Sequence, residues 1–95
     1  MQKLPLKFKS QGDCQLLART DDWAIIERIP TNATKTIYEV HAIAKNKAWE
    51  CHGNTIPAKE TIQPATQFGS KAWTKTTREA AFELFFKLAK EGSGL

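Results

Sequence analysis

The sequence contains no run of apolar residues that approaches the roughly 20 needed for a membrane-spanning helix. Its first nine residues are basic, and they lack the apolar stretch of about 7–15 residues that a secretory signal requires. We therefore expect a soluble, cytoplasmic protein that has no membrane partner.

Cysteine and histidine are both scarce, since the chain has only Cys14, Cys51, His41 and His52. Cys51 and His52 are adjacent, so on a strand they would point to opposite faces. No Cys-x-x-Cys or His-x-x-x-His pair is present to close a zinc site. In a reducing cytoplasm, two cysteines are more typical of free thiols than of a disulfide. We expect free thiols, no metal and no cofactor.

The chain also lacks a glycine-rich phosphate-binding loop, because its five glycines are isolated or lie in the C-terminal tail. Cys14 or Cys51 with His41 is the available thiol–imidazole combination, and no neighbouring residue marks an activated nucleophile. The sequence therefore predicts a protein that is not an enzyme.

Positively charged residues outnumber negatively charged ones. The 95 residues, a length typical of one domain, include 14 Lys and Arg against 10 Asp and Glu, for a net charge of +4. A positive balance favours polyanionic partners. The excess is concentrated in an N-terminal cluster of Lys3, Lys7 and Lys9 and in a second cluster of Lys71, Lys75 and Arg78.

Short strand-prone segments occupy the first half of the chain. Residues 15–19 and 23–29 flank Thr20-Asp21-Asp22, which favours a tight turn, so they predict a hairpin. A third strand over residues 37–44 has Tyr38 and Val40 on one face. Glu39 and His41 would occupy the opposite face, which this alternation predicts to be solvent-exposed.

The predicted meander continues beyond a loop at residues 45–47. Residues 48–52 predict a fourth strand, and residues 56–64 predict an extended surface segment because prolines lie near both of its ends. Residues 68–74 are compatible with a fifth short strand.

The C-terminal region predicts an amphipathic helix from Thr77 to about Lys90. Thr76 would be the N-cap in a capping box with Glu79, and Gly92 would supply a left-handed C-cap. The apolar face consists of Ala81, Phe82, Phe85, Leu88 and Ala89. The expected fold is α+β, an antiparallel β-meander of four to five short strands packed on this helix. Residues 1–91 would form the domain and residues 92–95 a flexible tail.

One stretch combines an aromatic side chain with cations. Lys71, Trp73, Lys75 and Arg78 lie just before and at a predicted helix N-terminus, where backbone donors also favour phosphate. We predict that these residues bind nucleic acid, with Lys3, Lys7 and Lys9 as an auxiliary electrostatic arm. The alternative is that Trp73 is a core residue and the lysines are a solvated rim. Trp23 and Trp49 are expected to be core residues.

The order of the motifs from residue 37 to residue 90 is similar to that of the WGR domain. The resemblance rests on Tyr38-Glu39-Val40-His41, on Phe68-Gly69-Ser70-Lys71-Ala72-Trp73, and on a helix with Ala80-Ala81-Phe82 and Phe85-Phe86-Lys87-Leu88. Phe68-Gly69-Ser70 replaces the Trp-Gly-Arg triplet of that family. The resemblance implies a small sheet-plus-helix module associated with nucleic-acid enzymes. The chain also resembles short proteins of phages and other mobile elements, which implies action by binding.

Two functional hypotheses follow. The first is a small non-catalytic module that binds nucleic acid through the basic segment before the helix. The second is a protein-binding adaptor or inhibitor of mobile-element origin, whose partner is a host protein or a second copy of the chain in a homodimer.

Overall fold

The computed structural model describes residues 2–93. Its strands, in chain order, are β1 (Lys7–Lys9), β2 (Gly12–Arg19), β3 (Trp23–Pro30), β4 (Ile37–Ala42), β5 (Ala44–Asn46), β6 (Trp49–Cys51), β7 (Asn54–Ile56), β8 (Lys59–Thr61) and β9 (Ala72–Lys75). A short 3₁₀ helix, Ala65–Gln67, precedes β9, and the α-helix α1 (Arg78–Ser93) follows it.

Five of these strands form one antiparallel sheet in the order β1-β2-β3-β4-β9. Helix α1 packs against β3, β4 and β9. The predicted α+β fold with a single helix on an antiparallel sheet is therefore confirmed. No helix within residues 2–93 is long and apolar enough to cross a membrane.

The β2–β3 hairpin forms where its turn residues predict it. The Thr20 hydroxyl accepts hydrogen bonds from the backbone N–H groups of Asp22, at 3.3 Å, and Trp23, at 3.1 Å. A side chain that bonds to the backbone two or three residues ahead closes the turn locally. The position of this turn in the sequence is therefore set by contacts between neighbouring residues.

Strand β2 is irregular at two points. A bulge between Leu16 and Ala18 shifts its register against β3. At its start, Gly12 has a φ of +126°, and a Cβ atom there would lie 2.2 Å from the carbonyl oxygen of Ile29. That separation is a hard clash with backbone, so the close approach of the two strands requires glycine.

Helix α1 covers part of one side of the sheet, which we call the helix face. The buried side chains of this layer are Ile25, Val40, Ala81 and Phe85. Phe85 is 4% exposed, whereas Phe82 is only partly buried. The helix is thus the apolar partner of the sheet, as its spacing predicts.

The helix begins one residue later than predicted. The hydroxyl of Thr77 accepts a hydrogen bond of 3.2 Å from the backbone N–H of Ala80. Thr77, rather than Thr76, is therefore the N-cap. The third helical residue is then Ala80, so the capping box predicted with Glu79 is wrong.

At its other end, α1 continues through Gly92 to Ser93. The C-cap predicted at Gly92 is therefore not where the helix stops. Residues 94 and 95 of the predicted flexible tail lie outside the described residues.

The prediction that one face of β4 is exposed to solvent is wrong. Glu39 is 2% exposed and His41 is fully buried. The N-terminal segment and the chain from β8 to β9 cover this side of the sheet, which we call the second face. Its buried apolar core consists of Leu4, Cys14, Leu16, Ala24, Ile26 and Ile43. Alternating polarity predicted exposure wrongly here because Glu39 and His41 have hydrogen-bond and ion-pair partners inside the protein.

Residues 44–61 also differ from the predicted meander. Strand β5 pairs with β8, and β6 pairs with β7 across a turn at His52 and Gly53, which have φ values of +50° and +79°. The predicted fourth strand thus lies outside the main sheet, and β9 occupies the position next to β4.

Trp49 is 55% exposed, so its predicted place in the core is wrong. The predicted surface segment at residues 56–64 contains β8, in which Glu60 is buried.

Candidate functional site

Strand β9 brings two of the predicted site residues onto one side of the sheet, and a third, Lys71, immediately precedes the strand. Trp73 lies opposite Val40 and Lys75 opposite Tyr38, so both point to the helix face. The Lys71 carbonyl accepts a hydrogen bond of 2.8 Å from the N–H of Ala42, which continues the same register. Because side chains alternate along a strand, Trp73 and Lys75 share this face, and Lys71 lies in the turn that leads directly into β9.

Arg78 joins this group through the short β9–α1 connection. It is the first residue of α1, and its guanidinium carbon lies 5.4 Å from the centre of the Phe82 ring. The Arg78 side chain remains exposed. The strand and the helix start therefore form one contiguous basic and aromatic surface, which we call the β9–α1 junction: Lys71, Trp73, Lys75 and Arg78.

Trp73 is neither a fully enclosed core residue nor a free one. Its ring centre lies 6.2 Å from that of Trp23, with the two planes inclined by 35°, and both residues are partly buried. One part of the indole thus packs within the protein and another part remains accessible.

Lys7 and Lys9 lie on β1, at the opposite edge of the sheet from β9. Four strand spacings separate the two edges, a distance of about 19 Å. The two predicted basic clusters are consequently not adjacent. The third N-terminal lysine, Lys3, is separate from both, since its Nζ lies 3.9 Å from Oε2 of Glu60.

The strand register nevertheless joins the two edges on one face. Lys7 pairs with Gln15, Gln15 with Glu27, Glu27 with Tyr38, and Tyr38 with Lys75. We call Lys7, Gln15, Glu27, Tyr38 and Lys75 the cross-strand row. It crosses all five strands on the helix face, and no sequence motif connects its members.

An open groove of about 410 Å³ lies at the β1 end of this row. Its lining includes Lys7, Lys9, Asp13, Glu27 and Ile29. Lys9 and Asp13 are 3.6 Å apart, but their side chains are 88% and 72% exposed. An ion pair this exposed contributes little energy, so Lys9 is available to another anion.

On the second face, Glu60 links three parts of the chain. Its carboxylate accepts a hydrogen bond of 3.1 Å from the backbone N–H of Leu4, and its Oε2 accepts one of 3.0 Å from Nη2 of Arg19. The Arg19 hydrogen bond lowers the pKa of Glu60 to about 2, and the hydrogen bond from Leu4 adds to this effect. Glu60 therefore holds the N-terminal segment and β8 against β2.

A second polar network is buried beneath the 3₁₀ region. Nη2 of Arg28 lies 3.2 Å from Oε1 of Glu39, and Nε2 of His41 lies 2.8 Å from the same oxygen. Nδ1 of His41 accepts a hydrogen bond of 3.1 Å from the backbone N–H of Gln63. Since Nδ1 is an acceptor, Nε2 carries the proton and donates to Glu39.

The geometry of this network indicates that it stabilises the fold. His41 is fully enclosed and its ring packs edge-on against Phe68, with centres 5.3 Å apart. Both ring nitrogens already have protein partners. The only sequence signal for this role was the presence of Glu39 and His41 on one side of a strand. The same pattern had predicted that this side is exposed to solvent.

The two cysteines are free and lie in different settings. Cys14 is buried in the second face, and Cys51 is partly buried at the end of β6. Within residues 2–93, no three His, Cys, Asp or Glu side chains converge in a geometry that could hold a metal ion.

Comparison of the chain with protein-family models, with curated proteins and with solved structures finds no match.

Proposed function

We propose that this protein is a small non-catalytic binding module whose ligand is nucleic acid, contacted at the β9–α1 junction. The observation that carries the proposal is the alternation along β9, which puts Trp73 and Lys75 on one face, between Lys71 in the preceding turn and Arg78 at the helix start. Cations beside an accessible aromatic ring are the contacts that a phosphate backbone and an unpaired base require.

The charge of the junction supports this ligand over an uncharged one. Lys71 and Arg78 are exposed and Lys75 is partly exposed. No ion pair within 4 Å joins any of the three to an acid in the described part of the chain. Each therefore keeps its charge available to a phosphate, and binding would release condensed counterions.

The sequence resemblances support the binding part of this proposal. The similarity of residues 37–90 to the WGR domain and of the whole chain to short phage and mobile-element proteins favours a role in binding. We place such a module in the cytoplasm, where it would meet nucleic acid directly.

Fluorescence anisotropy with labelled oligonucleotides at two or more salt concentrations tests the proposal. The variant Lys71→Gln/Lys75→Gln/Arg78→Gln should bind weakly, and its plot of log K against log salt should be flatter by about 0.7 per cation lost on a single strand. The matched control Lys47→Gln/Lys59→Gln/Lys87→Gln removes the same charge from exposed positions elsewhere. If the two triple variants lose the same affinity, the junction is not the site.

The protein-binding hypothesis has its own supporting observation. Phe86 is 62% exposed on α1 and Trp49 is 55% exposed on the β6–β7 hairpin, and exposed aromatic side chains are typical anchors at protein interfaces. This function predicts a host protein or a second copy as partner. Light scattering at rising protein concentration would detect the homodimer. Unlike phosphate binding, such an interface should be nearly insensitive to salt.

A further inference from the structure

The β1 edge of the helix face is not covered by the helix. Helix α1 packs on β3, β4 and β9, and its contacts centre on Ile25, Val40 and Phe85. Leu17 and Ala18 near the end of β2 also pack against this core. At the β1 edge, the groove described above remains open, and Ile29 beside it is 42% exposed. The cross-strand row connects this groove with the β9–α1 junction.

Cations lie at both ends of the cross-strand row. Lys7 and Lys9 lie at the β1 edge, and Lys75 lies at the β9 edge with Arg78 just beyond it. The two ends are about 19 Å apart. A ligand that contacts both must therefore be an extended anion with charges separated along its length.

The middle of the row is polar and aromatic. Gln15 is exposed and Glu27 is partly buried. Tyr38 is also partly buried, because it packs against the apolar core beneath α1. No ion pair within 4 Å joins Glu27 to a cation within residues 2–93. A free carboxylate repels phosphate but accepts hydrogen bonds from the amino groups of bases, and the exposed part of the Tyr38 side chain offers a contact surface for a base.

These features together select one class of nucleic acid. In a duplex, the π-faces of the bases are stacked on one another. A duplex could therefore contact the cations at both ends, but it could not offer a base face to the aromatic side chain between them. A single strand is flexible, exposes its base faces and edges, and can follow a groove across strands.

We propose that the uncovered part of the helix face binds a single-stranded nucleic acid that runs across the sheet from β1 to β9. Phosphates contact Lys7 and Lys9 at one end and Lys75 and Arg78 at the other. Bases lie over Gln15, Glu27 and Tyr38 between them. This inference rests on the proposed nucleic-acid function and adds the strand state, the path and the contribution of β1.

The first test is a length series of single-stranded oligonucleotides from two to about twelve nucleotides, with a duplex of the longest sequence. Affinity should rise at least tenfold between two and about six nucleotides, because only the longer strands span both ends, and then level off. The duplex should bind at least tenfold more weakly than the single strand of the same length. Equal affinity for dinucleotide and twelve-mer, or preference for the duplex, would overturn the proposal.

The second test removes one end of the path. Lys7→Gln/Lys9→Gln should flatten the salt dependence for the twelve-mer by about 1.4 and weaken its binding several-fold, with a smaller effect on the dinucleotide, which can occupy only one end of the path. Lys47→Gln/Lys59→Gln is the control of equal charge. If the β1 variant behaves like this control while the junction triple variant still loses affinity, the path across the sheet is wrong and the proposed function stands. If the parent binds no oligonucleotide at low salt, both fail.

The third test needs no substitution. Ultraviolet cross-linking of the parent protein to a single-stranded twelve-mer, followed by mass spectrometry, should give adducts on peptides that contain Tyr38 or Gln15 as well as Trp73. Adducts confined to Trp49 or to the outer side of α1 would contradict the path.

Discussion

Arg19 at the end of β2 and Glu60 in β8 form a two-point ion pair, with both guanidinium Nη atoms bonded to the two carboxylate oxygens. The Glu60 side chain is 1% exposed and the Arg19 side chain is 22% exposed. A charge-assisted pair of this kind fixes orientation as well as distance. It ties the covering layer of the second face to the main sheet.

The stability of the protein should consequently fall at acidic pH. The pKa of Glu60 is lowered from 4.5 to about 2, so the carboxylate binds a proton less readily when the chain is folded. Its contribution is fully present above pH 4.5 and is lost as the pH falls through 2, by on the order of 3 kcal/mol. Urea unfolding at several pH values measures this loss. The variant Glu60→Gln should be less stable at neutral pH and show a smaller acid dependence. An unchanged pH profile in this variant would contradict the role of Glu60.

Truncation of the helix core should distinguish Phe85 from its neighbour. Phe85 is 4% exposed, so Phe85→Ala should lower the free energy of unfolding by about 3–5 kcal/mol. Phe86→Ala removes the same atoms from a side chain that is 62% exposed and should cost less than about 1 kcal/mol. Thermal and urea melts of the two variants give the comparison. Equal losses would mean that α1 does not meet the sheet through Phe85.

The start of α1 gives a test of a single hydrogen bond. Thr77→Ala removes the hydroxyl that caps the N–H of Ala80 and should destabilise the protein by about 0.5–2 kcal/mol. Thr76→Ala, one residue earlier, removes no capping bond and should be close to neutral. Circular dichroism melts measure both. A larger effect at Thr76 would restore the capping box predicted from the sequence.

Trp73 should contribute to binding more than to folding. Trp73→Ala should weaken binding to a single strand by about 1–3 kcal/mol if the indole stacks on a base. It should also cost some stability, because the ring packs on Trp23. Trp49→Ala on the β6–β7 hairpin is the control for the loss of an indole. Anisotropy titrations below the melting temperature of each variant separate the two effects, and unfolding of Trp73→Ala in place of weaker binding would identify Trp73 as a core residue.

The sequence determined the parts of this protein that depend on neighbouring residues. The turn chemistry of Thr20 positions the β2–β3 hairpin, and the spacing of Ala81 and Phe85 gives α1 its buried face. It also placed Trp73 and Lys75 on one face, because alternation along one strand is local. The tertiary structure decided which strands are neighbours and which polar residues are buried. Glu39 and His41 look solvent-exposed by alternation, yet Arg28 on the adjacent strand and a backbone N–H at Gln63 satisfy them inside. Lys7 and Lys75 belong to the same cross-strand row only because of the register of five strands. Such long-range pairing is set by the packing of the whole sheet rather than by any local pattern.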